Sequence, residues 1–378
     1  MRILLSNIYY YPNLAGGAEI SVMKLAETLA KDADNKVSVL CASDDDGCVS
    51  DVINNVAVYR IPLQGNKRGR IKSRINRVCN FTDYSLIKDT IRSIDPEVIH
   101  TNNLRTFSVL IWKAAYELKI PIVHTLRDYV LIDIYKYWVE KRIISHYSNL
   151  VTAITAPSQC TLNLHLEKGL FKEAKVKCSI TNAIDFDIGE VNMLFQKKKK
   201  SREEDKQVFQ FAYIGRFSEE KGVDWLIKIF SMHPENKKLH LFGSGVLKDE
   251  TKRIIKQHRE IIEHGKLSED KLNLALEKID VVVVPSLWEE PFGRVILDAY
   301  KNGIPVIVTN RGGMPENVIR DRTGVIIESN DSELESAIKK MCNVEVIDRM
   351  CENILEILPH YTVESQADSF LKLYGQIK

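Results

Sequence analysis

Unbroken runs of β-branched and aliphatic residues, each followed by a stretch of helical period, recur along this chain in two series. The first comprises RILLSN (2–7), KVSVLCA (36–42), VAVYRIP (56–62), EVIHTN (97–102), IPIVHTL (120–126), LVTAITAPS (150–158) and CSITNAI (178–184). The second comprises QFAYIG (210–215), LHLFGS (239–244), EIIEHGKL (260–267), VVVVPS (281–286), PVIVTN (305–310) and GVIIES (324–329). A strand with one wet face alternates polar and apolar residues. A run without alternation is covered on both faces, which implies parallel strands joined through helices. The two series predict an α/β chain of two doubly wound, Rossmann-like domains facing across a cleft, and 378 residues are enough for two cores.

The polar run FQKKKKSREEDKQ (195–207) reads as a solvated connection. The expected division is a first domain over 1–190, a charged linker over 191–207, a second domain over 208–358 and a C-terminal helix over 359–378. Val363, Ala367, Phe370 and Leu371 give that helix an apolar stripe, as an added element crossing back to the first domain. A formal net charge of +2 does not point to nucleic acid as a partner. The seven cysteines lack any CxxC pair, which suits a reducing cytosol. The N-terminal apolar run is too short for a signal peptide, and no stretch approaches the ~18 apolar residues of a membrane span. The expectation is a cytoplasmic protein.

Ligands of open parallel sheets bind outside the carboxyl ends of the strands, where helix N-termini favour anions. The distinctive polar residues fall at those ends. YIGRFSEEKGVDWLI (213–227) carries Arg216 and Lys221 to one strand end, a planar fork and a flexible point charge suited to a diphosphate. Equally, they are surface cations flanking a turn, with Glu219 and Glu220 as partners. Gly243 and Gly245 follow the next strand, and a reversal at His264-Gly265 leads to Lys266 and Leu267. PSLWEEPFGRVILDAY (285–300) sets Glu290 before a helix starting at Pro291, Gly293 in its first turn and Asp298 about two turns beyond Glu290. Amides around Phe292, Gly293 and Arg294 would face a ligand, and carboxylates accept pairs of hydrogen bonds from vicinal diols, so a sugar or ribose fits. Alternatively, each carboxylate is only a helix-start charge favoured by the dipole.

EPFGRVILD followed by NGIPVIVTNRGGMPE, with GRFSEEKG upstream, resembles the nucleotide-sugar glycosyltransferases of family four, which have the GT-B fold and retain anomeric configuration. The resemblance runs from GGAE near the start to the C-terminal helix. It implies that Arg216 and Lys221 hold the donor diphosphate. Glu290 would position the transferred sugar, the Phe292 and Gly293 amides would contact phosphate or sugar, and Asp298 would hold the ribose. Asp298 stands where the family has glutamate, one methylene longer. The glycine loop of Gly16 and Gly17 would face the diphosphate and acceptor. Arg127 occupies the place of a family histidine near the sugar C6 hydroxyl, and either reads an anionic C6 or pairs with Asp128 or phosphate.

The implied function is sugar transfer from a nucleoside diphosphate, UDP ahead of GDP, to a glycan or lipid-linked acceptor of polysaccharide or cell-envelope biosynthesis. The alternative is a nucleotide-sugar-binding protein that has lost transfer. No cofactor and no metal are expected: the Asp strings SDDDG (43–47) and DFD (185–187) are short and arise by chance. The basic segment 66–77 reads as a solvated loop or as a peripheral contact to the cytoplasmic membrane face.

Overall fold

The computed structural model describes residues 1–13, 17–43, 47–63, 78–79, 81–104, 107–133, 138–205, 208–233 and 235–378. The chain divides into two compact units. Unit 1 is Met1–Ala183 together with Val363–Lys378, and unit 2 is the continuous segment Ile184–Thr362.

Unit 1 is built on β1 (Arg2–Ser6), β2 (Lys36–Ser43), β3 (Val49–Ile53), β4 (Val56–Pro62), β5 (Val98–Thr101), β6 (Ile122–Thr125), β7 (Ala153–Ala156) and β8 (Val176–Ser179). They form one sheet in the order β3-β4-β2-β1-β5-β6-β7-β8. Every residue of β5, β6 and β7 is buried, which is why their sequences do not alternate. All pairings are parallel except β3–β4, an antiparallel hairpin that closes through Asn54 and Asn55 at φ 49° and 65°. That strand was not expected: it is exposed at four of its five positions and carries no apolar run. The C-terminal helix, Val363–Ile377, buries Ala367, Phe370, Leu373 and Tyr374 among Ile3, Leu5, Val22 and Leu25 of unit 1.

Three imidazoles lie inside unit 1. His100 Nδ1 is 2.7 Å from Tyr374 Oη, its Nε2 is 2.7 Å from Thr125 Oγ1, and Thr125 Oγ1 is 2.6 Å from Thr155 Oγ1. His124 Nδ1 is 2.9 Å from Thr101 Oγ1, which also accepts from Trp112 Nε1 at 3.0 Å. His165 Nδ1 meets Thr161 O at 2.8 Å. Burial holds all three neutral: His124 is pushed down to about 3, His165 to about 4, and His100 well below the usual imidazole range.

Unit 2 contains β9 (Phe209–Ile214), β10 (Lys237–Phe242), β11 (Ile261–Gly265), β12 (Val281–Val284), β13 (Val306–Thr309) and β14 (Gly324–Ile327). All are parallel, in the order β11-β10-β9-β12-β13-β14. Two parallel-sheet α/β units confirm the expected fold class.

The charged linker is corrected. Residues Ile188–Asp205 form one helix that belongs to unit 2, and the first unit ends at Ala183 instead of 190. Val191 and Phe195 anchor the helix in the core, and the next two turns bury cations in their place. Lys198 donates to the carbonyls of Leu276, Ile279 and Asn302 at 3.0–3.1 Å, and Arg202 pairs with Asp348 and, at 3.5 Å, with Asp280. A buried ammonium is tolerated where several acceptors replace its hydration. At the other end, the helix expected over 359–378 begins at Val363, after a 3₁₀ turn Leu358–Tyr361 that stays with unit 2. Among the described residues no helix is long and apolar enough to cross a membrane.

Candidate functional site

In an open parallel sheet the connecting loops diverge where the strand order reverses, leaving a crevice at the carboxyl ends. In unit 2 that point lies between β9 and β12. The loop after β9 carries Arg216 and Lys221, and the loop after β12 carries Ser286 to Gly293. The sequence thus places its candidate cations and carboxylates on the two loops that border the reversal.

The two loops are fastened together. Glu220 O accepts from the amides of Leu287 at 2.8 Å and Trp288 at 3.1 Å. Gly222 has φ 69°, and a Cβ there would lie 1.9 Å from Pro285 O, so only glycine allows this approach. Gly243, after β10, is equally constrained: its Cβ would lie 1.8 Å from Gly215 O. Gly245 packs against the Phe217 backbone in the same way, joining the turn after β10 to that after β9.

This scaffold presents an ion pair. Lys221 Nζ bonds Glu290 Oε1, which also accepts from Ser286 Oγ at 3.1 Å. The two side chains are only 23% and 14% exposed, so their attraction is less screened than that of a surface pair. Trp288 lies beneath the ammonium, its ring centroid 5.1 Å from Lys221 Nζ. From the other side the Gly313 amide donates to Glu290 O at 2.7 Å, and the Gly312 amide donates to the Glu289 carboxylate. Glu290 is therefore held through both its carboxylate and its backbone.

Arg216 sits at the rim, its side chain 69% exposed and paired with Glu220 at 2.9 Å. The partner the sequence offered as the alternative to a ligand is thus present. Phe292 is buried in the core, and its carbonyl accepts from Asn317 Nδ2 at 2.8 Å. The helix after it spans Arg294–Tyr300, three residues later than the expected start at Pro291, because Gly293 adopts φ 82°. Asp298 on that helix is half-buried, 4.0 Å from Lys301 Nζ. Burial raises its carboxyl above the usual range, against the opposing pull of Arg294 and Lys301. After β11, Lys266 is exposed and Leu267 half-buried against the core, and Gly265 O accepts the Gly243 amide at 2.9 Å. His264 stacks on Phe242 with centroids 4.6 Å apart and bonds His240 at 2.8 Å.

Arg127 and Gly17 belong to unit 1. Arg127 donates to Asn102 Oδ1 through Nε at 3.1 Å and Nη2 at 2.9 Å, and to Asn182 Oδ1 through Nη1 at 2.9 Å. Asp128 accepts the Val130 amide at 2.9 Å. Gly17 opens the helix Gly17–Leu29. Gly16, Asp44 to Asp46 and the basic segment 66–77 lie outside the described residues. Asp187 accepts the Glu190 amide at 2.9 Å, a local helix-start bond. Sequence reasoning missed Ser286, Trp288 and the contact of Gly312 and Gly313 with the glutamates. The glycine pair in TNRGGMPE was the available signal, since paired glycines mark a close backbone approach.

The family description "Glycosyltransferase Family 4" matches residues 15–187, and "Glycosyl transferases group 1" matches residues 195–354. An uncharacterized 42.6 kDa protein in the cps region of Klebsiella pneumoniae is 27% identical over 381 residues, covering 92% of this chain and 97% of that protein. Anabaena HepE, solved with UDP, superposes with a TM-score of 0.74 at 19% identity over 100% of both chains. Sucrose-phosphate synthase from Thermosynechococcus elongatus superposes with a TM-score of 0.72 at 20% identity, over 99% of this chain and 98% of that one.

Proposed function

Since the chain belongs to the family four glycosyltransferases of GT-B fold, we propose that it moves a hexosyl group from a nucleoside-diphosphate sugar to a glycan or lipid-linked acceptor. The observation that carries the donor half is the Lys221–Glu290 pair, held by two fastened loops at the strand-order reversal of unit 2. In this reading Lys221, with Arg216 swung off Glu220, meets the charge that develops on the departing diphosphate, so no metal is required. Glu290 accepts hydrogen bonds from hydroxyls of the transferred sugar, and Asp298 from the ribose. The amides of Phe292, Gly293 and Arg294 meet phosphate or sugar, Gly243 and Gly245 let the nucleotide approach the backbone, and Lys266 and Leu267 border the base. The ligand contacts proposed in unit 1 are Gly17 and Arg127.

The reaction breaks the bond from the anomeric carbon to the phosphate oxygen and forms the bond to the acceptor oxygen on the same face. The departing phosphate oxygen takes the acceptor proton, giving retention. UDP is favoured because HepE, similar over its whole length, was solved with UDP and with UDP-glucose. A polysaccharide or envelope precursor as acceptor is supported by the relative in a cps region.

The test is thermal stabilisation by UDP, GDP, ADP and their sugars, on wild type and Glu290→Ala. A ligand at a hundred times its dissociation constant adds about 2.7 kcal/mol. The proposal expects one nucleotide series to stabilise wild type, with the extra increment from the sugar lost in the variant. No stabilisation by any of them would refute the donor site. NMR of the product's anomeric proton, with and without a chelator, tests retention and metal independence.

A further inference from the structure

The amino ends of β9 and β10 lie about 16 Å from the glycine-bordered carboxyl ends, five residue steps of a strand away. A cavity of about 380 Å³ opens there, within the range of small-molecule sites. Its floor is apolar: Phe209, Ile229 and Ile338 are buried in the core of unit 2. Lys237 shares that floor, while Lys339, Glu335, Glu235 and His233 line the exposed rim. Lys237, the first residue of β10, is 7% exposed, and its Nζ lies over the Phe230 ring, 5.2 Å from the centroid. No hydrogen bond or ion pair to its ammonium is found among the described residues, in contrast to buried Lys198, which meets three carbonyls. Burial pulls Lys237 below the usual lysine range, against the nearby Cys342, Glu235, Glu260 and Glu335.

The Lys237 ammonium opens to the cavity, where an entering anion would meet it directly and form a charge-assisted hydrogen bond. The carboxylates around the cavity are engaged or outlying. Glu335 bonds His233 Nε2 at 3.0 Å and Glu260 bonds His258 at 2.6 Å, while Glu235 is exposed. One ammonium on an apolar floor matches one negative charge carried on a compact apolar body. We propose that this cavity is a second ligand site of unit 2, taking a small monocarboxylate whose carboxylate pairs with Lys237 and whose apolar part rests on Phe209, Ile229 and Ile338. The site stands independently of the sugar-donor reading.

The probe is sodium benzoate, with benzamide as its uncharged counterpart, titrated into the full chain carrying ¹³C-labelled isoleucine methyl groups. Benzoate is expected to shift the Ile229 and Ile338 methyl signals saturably, with benzamide at least about tenfold weaker. Lys237→Met, which keeps the stem and removes the charge, is expected to weaken benzoate by a similar factor. Equal binding of benzoate and benzamide, saturable shifts elsewhere only, or no saturable shift up to the solubility of the salt would each overturn the proposal. So would undiminished benzoate binding by the folded variant. The contrast between the two probes needs no variant, so a misfolded Lys237→Met leaves the test intact.

Discussion

Lowering the pH from 8 to 5 should strip unit 1 of much of its stability, and the cause is its three enclosed imidazoles. In the folded chain burial pushes His124 down to about 3 and His165 to about 4, and holds His100 well below the usual imidazole range. In the unfolded chain each takes a proton near the ordinary value of 6.5. A folded pKa below the unfolded one means that the unfolded state binds more protons in the interval between them. Stability is therefore complete above about 6.5 and falls as the pH drops toward the folded values. His124 and His165 each cost about 1.4 kcal/mol per pH unit once well below 6.5, or about 2 kcal/mol at pH 5. His124 and His165 together remove about 4 kcal/mol, a large share of the stability of an ordinary domain, and His100 acts in the same direction. Glu97 and Glu117, held down to about 2 by the cations beside them, take their protons below the interval. The assay is hydrogen exchange at several pH values, corrected for intrinsic rates and read on peptides covering β5 and β6, which report unit 1 separately. His124→Asn removes one of these titrations and should lower the slope by about 1.4 kcal/mol per pH unit. A flat profile between pH 6.5 and 5, or a wild-type slope in the variant, would refute the reasoning.

Lys221→Met removes the partly buried cation beside Glu290 and should lower transfer by about 10²–10³-fold, the usual loss for one preorganised donor, as read from kcat/KM with the donor series found by thermal stabilisation. Gly222→Ala drives a Cβ into Pro285 O at φ 69°, so a loss of more than about 1 kcal/mol in urea unfolding is expected, together with weaker nucleotide binding. Tyr374→Phe leaves His100 Nδ1 without its 2.7 Å partner and should cost about 1–3 kcal/mol, measured by the same unfolding of unit 1. Arg202→Met takes the cation from Asp348 and the 3.5 Å contact from Asp280, which keeps the Gln210 amide, and should destabilise unit 2 by about 3–5 kcal/mol in urea unfolding, whereas shortening an exposed lysine of the same helix, Lys200→Ala, should cost less than about 0.5 kcal/mol.

Strands buried on both faces were legible because Val281–Val284 or Ile122–Thr125 leave no room for a wet face. The exposed hairpin strand Val49–Ile53 was not, since its pairing comes from the asparagine turn beside it and not from apolar content. The charged helix was misread for a related reason. Val191, Phe195, Lys198 and Arg202 follow one helical stripe, but the last two carry charges that count as exposed until their carbonyl and carboxylate partners are seen. At the candidate site, the motifs carried Lys221 and Glu290 to strand ends of one sheet, but their ion pair was not foreseen: Lys221 had a diphosphate or the neighbouring Glu219 and Glu220 as its expected partners. Ser286, Trp288 and Gly312 were hidden, because the Ser286 hydroxyl meets Glu290 only where the loop folds back, and the Trp288 ring and Gly312 amide reach Lys221 and Glu289 across loops far apart in sequence, which no local spacing records.

Unit 2 is one unbroken segment set inside unit 1, and its two ends lie close together. On one side Gln366 Nε2 donates to Thr181 O, and on the other Ile184 pairs with Thr362. The polypeptide thus enters and leaves the inserted unit through neighbouring doorways. Such an arrangement makes unit 2 an exchangeable cassette: a homologous segment can be spliced in at two adjacent seams without rewiring the sheet of unit 1. A short bridge from Ala183 to Val363 would close unit 1 on itself and keep the helix that covers Ile3 and Leu5. A protein organised this way can diversify in its inserted unit while the surrounding one stays fixed.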